Sequence, residues 1–307
     1  MKRLALIDGH AILHRAYHAF PANLTTRKGE LVNAVYGFTR ILLSVLADLK
    51  PQYLAVAVDL SQPTFRHQEY VGYQIQRPEM DQELSGQINR VHQLLAALNI
   101  PVFAVPGYEA DDVIGTLAYQ STKGKNKKKN TEVVIVTGDK DIMQLVNQKI
   151  KVYAPKKGFS EPEMFDQKKV KELLGVKPEQ IIDYKALVGD VSDNYPGVSG
   201  VGPKSAVLLL NQFGNLKKIY QNLKEIPPTL AEKLKKGKES AFLSQKLATI
   251  VTHVPLKLKL KSCQVHDYDR QKAIKLFEEL EFKSLINKLP GMEKKKKESK
   301  KEQMSLL

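Results

Sequence analysis

The chain has 307 residues, enough for one or two domains with a real core, and a single cysteine, so a short disulfide-stapled scaffold is excluded. With 48 Lys plus Arg against 33 Asp plus Glu, the net charge of +15 points to a polyanionic partner, nucleic acid first. The opening run Leu4–Ile7 is stopped by Asp8, too soon for a signal peptide, and no stretch approaches the ~18 apolar residues of a membrane span, so a cytoplasmic, membrane-free protein is expected.

Four short β-rich apolar runs, Leu4–Ile7, Leu54–Val58, Val102–Val105 and Val133–Val136, alternate with helical stretches such as Ala34–Leu49 and Asn89–Leu98. This rhythm predicts an α/β fold, a parallel sheet covered by helices with its site at the C-terminal strand ends. The long connection from Asp59 to Val102, carrying Arg66, His67, Arg77 and Arg90, reads as an insertion with its own helices. After Ala154 the strand pattern fades, and 162–289 reads as a helical, lysine-rich lobe interrupted by Pro196–Pro203. Phe277, Leu280, Phe282 and Leu285 predict one more packed helix and turn. The polar loop 123–130 reads as a solvated connection and the Lys-rich tail 291–307 as disordered.

Each of the four runs is followed by acid: Asp8; Asp59; Glu109, Asp111 and Asp112; Asp139 and Asp141. If the runs are neighbouring parallel strands, these carboxylates converge and repel one another unless cations lie between them. Hard divalent ions suit carboxylate oxygens, and two of them roughly 4 Å apart can hold the attacking and leaving oxygens of a phosphodiester. Singly, any of these acids can simply end a strand or cap a helix. The repetition at four strand ends is what favours a metal site. Thr137–Asp141 is a tight turn able to aim two acids inward. Asp190 and Asp193, spaced i, i+3, share one face of a helical turn, where they either complete a second ion's surroundings or bond their own backbone.

The stretch Gly197–Ser205 fails as a Walker loop, because Pro203 stands where that motif needs lysine. It reads either as a plain connection or as a glycine hairpin joining two helices, with Gly197, Gly200, Gly202 and Ser205 offered to a DNA phosphate and Lys204 adding charge. Arg15 and Lys140 are further candidate DNA contacts. The scattered histidines form no zinc pattern, and Cys263 lies far along the chain from any glycine elbow, so zinc and covalent chemistry are not expected.

The segments Leu6–Gly9, Asn33–Phe38, Pro63–His67, Gly107–Asp112, Val136–Asp141, Asp183–Asp190 and Phe277–Leu285 together resemble the bacterial 5′-3′ exonuclease and flap endonuclease family, and within it the 5′ nuclease domains joined to DNA polymerase I. The resemblance runs from about residue 2 to 289. It implies a PIN-like catalytic domain over 1–165 with a helical arch at about 62–92, a helix-hairpin-helix-like DNA-binding lobe over 166–262 with its hairpin at 196–206, and a packed segment over 263–290. It implies a structure-specific nuclease that removes primers and displaced strands in replication and repair, using two Mg²⁺ or Mn²⁺ ions held by Asp8, Asp59, Glu109, Asp111, Asp112, Asp139, Asp141, Asp190 and Asp193. It also implies K⁺ at the hairpin and catalytic roles for Arg77 and Arg66. The implied partner is DNA carrying a 5′ flap, nick or gap, bound by a monomer; with no polymerase segment in the chain, a polymerase is expected in trans. Two positions depart from the family: neutral Gln74 replaces an arch lysine three residues before Arg77, and His10 stands where a small residue is expected. The first departure keeps open a second reading, a catalytically weak or silent flap-binding protein.

Overall fold

A computed structural model describes residues 2–123, 131–155 and 162–291; the polar loop from 124 and the tail from 292 lie outside them. In chain order the elements are β1 (Lys2–Asp8), α1 (Gly9–Ala19), α2 (Asn33–Leu49), β2 (Tyr53–Ala57), α3 (Phe65–Glu69), α4 (Gln82–Ser85), α5 (Ile88–Ala97), β3 (Val102–Phe103), α6 (Ala110–Lys123), β4 (Thr131–Val136), β5 (Ile150–Ala154) and β6 (Glu163–Phe165). The helical part follows as α7 (Gln167–Leu174), α8 (Ile181–Val188), α9 (Pro203–Phe213), α10 (Leu216–Gln221), α11 (Pro228–Lys236), α12 (Lys238–Ala248), α13 (Arg270–Glu279) and α14 (Lys283–Ile286).

The sheet order is β3-β2-β1-β4-β5-β6, parallel except for the antiparallel β5–β6 pair. Two strands therefore lie beyond the four runs read from sequence. β6 interrupts the stretch expected to be helical; it is three residues long and carries too few side chains for alternation to show.

The central strands are apolar throughout because helices cover both faces. Alternate residues divide accordingly. Leu4, Leu6, Ala55, Val133 and Ile135 pack on α6 and run into the core of the helical lobe. Ala5, Ile7, Leu54, Val56, Val134 and Val136 pack on α1, α2 and α5. The chain end returns to that second face, burying Phe277, Leu280, Phe282, Leu285 and Leu289 against it. Register pairs Ile7 with both Val56 and Val136, so the ends of β1, β2 and β4 stand level and release their acids at one edge. Among the described residues no helix is long and apolar enough to cross a membrane.

The insertion between β2 and β3 holds α3, a run of turns from 71 to 76, α4 and then α5, which belongs to the sheet packing. Its turns are pinned to the helical lobe. The Gln74 N–H donates to the Asp193 carbonyl at 3.0 Å, and the Asn194 amide donates to the Gly72 carbonyl at 2.7 Å.

Candidate metal centre

Asp8 ends β1 and caps α1. Its Oδ1 accepts from the Ala11 N–H at 3.1 Å and its Oδ2 from the Thr137 hydroxyl at 2.8 Å. Thr137 also accepts from the Asp139 N–H at 3.0 Å, and Asp139 Oδ1 accepts from the Asp141 N–H at 2.8 Å. One hydroxyl thus ties the ends of β1 and β4 together and shapes the turn that follows. Past β2, Asp59 accepts from the Ala110 N–H at 2.8 Å, while its own N–H donates to His10 Nδ1 at 3.0 Å. The unexpected His10 therefore positions the backbone of a strand-end acid. Glu109 accepts from the hydroxyls of Thr64 at 3.1 Å and Tyr73 at 3.2 Å. Asp111, half-buried in the first turn of α6, accepts no hydrogen bond from the described residues and lies in the field of Asp139, Asp8, Asp59 and Glu109.

Burial sets the electrostatics. It pushes the Asp8 carboxyl up to about 6, helped by the charges of Asp59 and Asp139. Burial likewise lifts Glu109 to about 7 against the pull of Arg66. Asp111 is driven well above the usual carboxylate range by burial and by its four acidic neighbours.

Asp112, next in sequence, has the opposite surroundings. Arg66 donates to its two oxygens at 2.7 and 2.9 Å, the Val251 N–H to Oδ1 at 2.8 Å and the Glu109 N–H to Oδ2 at 3.1 Å. Four donors fill both oxygens, leaving none for an ion. Arg66, 2% exposed, also donates to the carbonyls of Leu247 and Thr249, each at 2.8 Å, and lies 3.2 Å from Glu109. The expectations of Asp112 as a metal ligand and Arg66 as a catalytic group are therefore corrected. The two form a buried ion pair that joins α3, α6 and the end of α12, and Arg66 has no face left for a phosphate.

A second acidic group joins Asp141, from the turn after β4, to Asp190 and Asp193 of the helical lobe. One oxygen each of Asp141, Asp190 and Asp193 lie within 4.8 Å of one another. Asp190 Oδ1 accepts from the Ser192 N–H at 2.7 Å, the Ser192 hydroxyl and the Asp193 N–H at 3.1 Å. Of the two readings left open for Asp190 and Asp193, the backbone one is seen at Asp190, whose first oxygen shapes the turn, while its other oxygen points to Lys185. That ammonium lies 2.7 Å from Asp141 Oδ1 and also pairs with Asp190. Burial raises Asp141 to about 6 even so, while Asp141 and Asp190 hold Lys185 charged above its ordinary range despite its burial. Asp193 accepts from the Gln74 side-chain amide at 2.9 Å. Near this group the Tyr195 hydroxyl, in the field of Asp141, Asp190, Asp193 and Asp139, is buried with no hydrogen-bond partner among the described residues. Lys185 and Tyr195 carried no role in the sequence; the only signal was their placement within a few residues of Asp190.

Around the rim, the Arg15 guanidinium lies over the Gly138 turn, where a side chain would meet it at 3.1 Å, and Arg77 and Lys140 are exposed. In the hairpin, Gly200, Gly202 and Lys204 are exposed and Ser205 is half-buried in the first turn of α9. Gly197 is different. Its φ is +62°, a Cβ there would stand 2.2 Å from the Gly189 nitrogen, its N–H donates to Ser244 and its carbonyl accepts from Ser240. Gly197 is thus corrected from a DNA contact to a buried crossing point of two backbones.

Both acidic groups fit hard divalent ions. Their donor set is all oxygen, and among the described residues Asp111 accepts no hydrogen bond and the Tyr195 hydroxyl has no partner, a place that a water on a bound ion could fill by donating to the phenol oxygen.

The chain matches two family models in succession, the 5′-3′ exonuclease N-terminal resolvase-like domain over residues 3–175 and the 5′-3′ exonuclease C-terminal SAM fold over 176–271. It is 43% identical over 291 residues to DNA polymerase I of Caldicellulosiruptor bescii, covering 94% of this chain and 33% of that protein. It is 40% identical over 289 residues to DNA polymerase I of Bacillus subtilis, covering 94% and 32%. The chain thus spans about a third of the length of these relatives. Among solved structures it resembles the bacteriophage T5 D15 flap endonuclease in a complex with DNA and metal ions, with TM-score 0.65 and 21% identity over 82% of this chain and 90% of that one. It also resembles the catalytic core of Rad2 with DNA substrate, with TM-score 0.57 and 19% identity over 91% and 87%. These two likenesses show the shared fold. On the strength of the matched models and the polymerase-linked relatives, the chain belongs to the 5′-3′ exonuclease family.

Proposed function

We propose that the chain is a structure-specific 5′-3′ exonuclease and 5′-flap endonuclease that hydrolyses DNA phosphodiesters in primer removal and repair, beside a DNA polymerase activity. The observation that carries this reading is the convergence of Asp8, Asp59, Glu109, Asp111 and Asp139, with Asp111 lying in the field of the other four and accepting no hydrogen bond from the described residues. Mg²⁺ or Mn²⁺ held there, and by Asp141, Asp190 and Asp193, would supply charge to the phosphate and lower the pKa of a bound water. The chain's own residues do the rest. Asp8 is locked by Thr137, Asp139 by the Asp141 N–H, Asp59 by the Ala110 N–H and Glu109 by Thr64 and Tyr73, so their oxygens need no reordering when substrate arrives. Arg77, Arg15 and Lys140 at the rim attract the single strand. Gly200, Gly202, Lys204 and Ser205 meet the duplex backbone, with K⁺ at the same hairpin. The protein acts as a monomer in the cytoplasm.

Gln74 does not favour a silent binding protein. Its amide is engaged with Asp193 and, at 3.2 Å, with the Tyr73 hydroxyl, so it supports the acidic group directly. The test is cleavage of a 5′-flap DNA labelled at its 3′ end, with Mg²⁺, with EDTA and with Asp139→Ala. Metal-dependent cutting near the flap junction, lost in the variant, is expected; tight flap binding without cutting in Mg²⁺ would overturn the reading.

A further inference from the structure

Lys185 sits in the last turn of α8, and its ammonium bridges Asp141, from the sheet edge, and Asp190, from the loop after the helix. All three side chains are sheltered: those of Lys185 and Asp141 are each 18% exposed and that of Asp190 is 11% exposed. The same Asp141 and Asp190 belong, with Asp193, to the trio whose oxygens lie close enough to share one cation. An independent observation marks this spot as one where a ligand belongs. The Tyr195 hydroxyl, on a residue 2% exposed and in the field of the trio, has no hydrogen-bond partner among the described residues. A buried hydroxyl is costly without a hydrogen-bond partner, and a hydrated ion brings waters that can donate to its oxygen.

We propose that Lys185 is the resident counter-ion of the second metal position, holding Asp141 and Asp190 together until a divalent ion displaces it. The inference rests on the reading above that these acids bind divalent ions, and it adds that binding at this position is an exchange of one cation for another. Two cations cannot share the same carboxylate oxygens without strong repulsion, so the ammonium must leave both partners as the ion enters. Lysine suits such a role: its charge is compact and sits on a flexible four-carbon stem, unlike the fixed fork of Arg66. The exchange weakens the second position relative to the strand-end one. Lys185 is a positioning residue in this scheme, acting on the ion's ligands and not on DNA.

The experiment uses the whole chain, free of DNA. Manganese binding is titrated by calorimetry while amine acylation of each lysine is followed by mass spectrometry. In the wild type, filling the second position with Mn²⁺ should raise acylation of Lys185 several-fold and leave the exposed Lys204 unchanged. In Lys185→Met the second Mn²⁺ should bind on the order of tenfold more tightly or better, with the first unaltered, and Lys185→Arg should restore the weaker binding. Two bound ions with unaltered Lys185 acylation would overturn the exchange while leaving the metal reading intact. So would an unchanged or weaker second affinity in a Lys185→Met protein whose circular dichroism matches the wild type. Absence of any Mn²⁺ binding that Asp139→Ala removes would instead overturn the metal reading, and the proposal with it.

Discussion

The two acidic groups of the site differ in how their charge is met. At the strand ends, Asp8, Asp59 and Asp139 accept from neutral hydroxyls and backbone N–H groups, Glu109 accepts from two hydroxyls with Arg66 3.2 Å away, and Asp111 accepts from none of the described residues. On the side of the helical lobe, Asp141 and Asp190 share a lysine and Asp193 takes an amide. Neutral donors fix the position of a carboxylate without cancelling its charge, so the first group stores repulsion that an ion relieves. The second group is already compensated and must be emptied before it can be filled. The site is therefore asymmetric before any substrate arrives.

The contrast is most easily broken at Arg66, the one buried arginine that borders the strand-end group. Arg66→Met leaves Asp112 buried with an unpaired charge and should cost about 3–5 kcal/mol of stability, read as a lower urea midpoint. Were Arg66 instead a group acting on the phosphate, the variant would keep its midpoint and lose only cleavage.

A smaller effect follows from pH. Asp8, ordinarily at 3.8, titrates at about 6 in the fold, Asp141 likewise, and Glu109 moves from 4.5 to about 7. Between those limits these three carboxyls hold more protons in the folded chain than in the unfolded one, so their contribution to stability falls as pH rises, while His14 and His67, lowered by burial, act in the opposite direction. In EDTA the unfolding free energy should drop between pH 5 and pH 7.5, on the order of 2 kcal/mol. Mg²⁺ should stabilise more at pH 7.5 than at pH 5, which thermal melts in both buffers would check. A rise in stability with pH in EDTA would mean that the acids are compensated after all.

The smallest effect lies at Gln74. Gln74→Leu removes two side-chain hydrogen bonds of roughly 1 kcal/mol each, which should loosen the turns over Asp193. Faster amide hydrogen exchange at Gln74 and Arg77, with little change in the global midpoint, is the expected signature.

Much of this was legible in the sequence, and the limits have physical causes. Apolar runs ending in acid announce parallel strands whose ends converge, because both faces of such strands are buried and the pattern is local. Long matched segments announced the family. What a local pattern cannot carry is the partner of each oxygen. Asp111 and Asp112 are the same residue type one position apart, yet one stands amid four acids and the other is saturated. The difference comes from Arg66, whose remaining donors are fixed by carbonyls of Leu247 and Thr249 more than a hundred residues away. Gly197 misled for a similar reason: in sequence it is one more hairpin glycine, and only the crossing with Gly189 shows why it is there. The strand β6 was missed because three residues show no period.

The claim that the strand-end group is an uncompensated seat for a cation is tested most directly by the thermal midpoint of Asp111→Asn beside the wild type, each in EDTA and in Mg²⁺. Removing one of the mutually repelling charges should raise the midpoint in EDTA, while the rise that Mg²⁺ gives the wild type should shrink or vanish in the variant. A variant less stable than the wild type in EDTA, yet equally stabilised by Mg²⁺, would contradict the account.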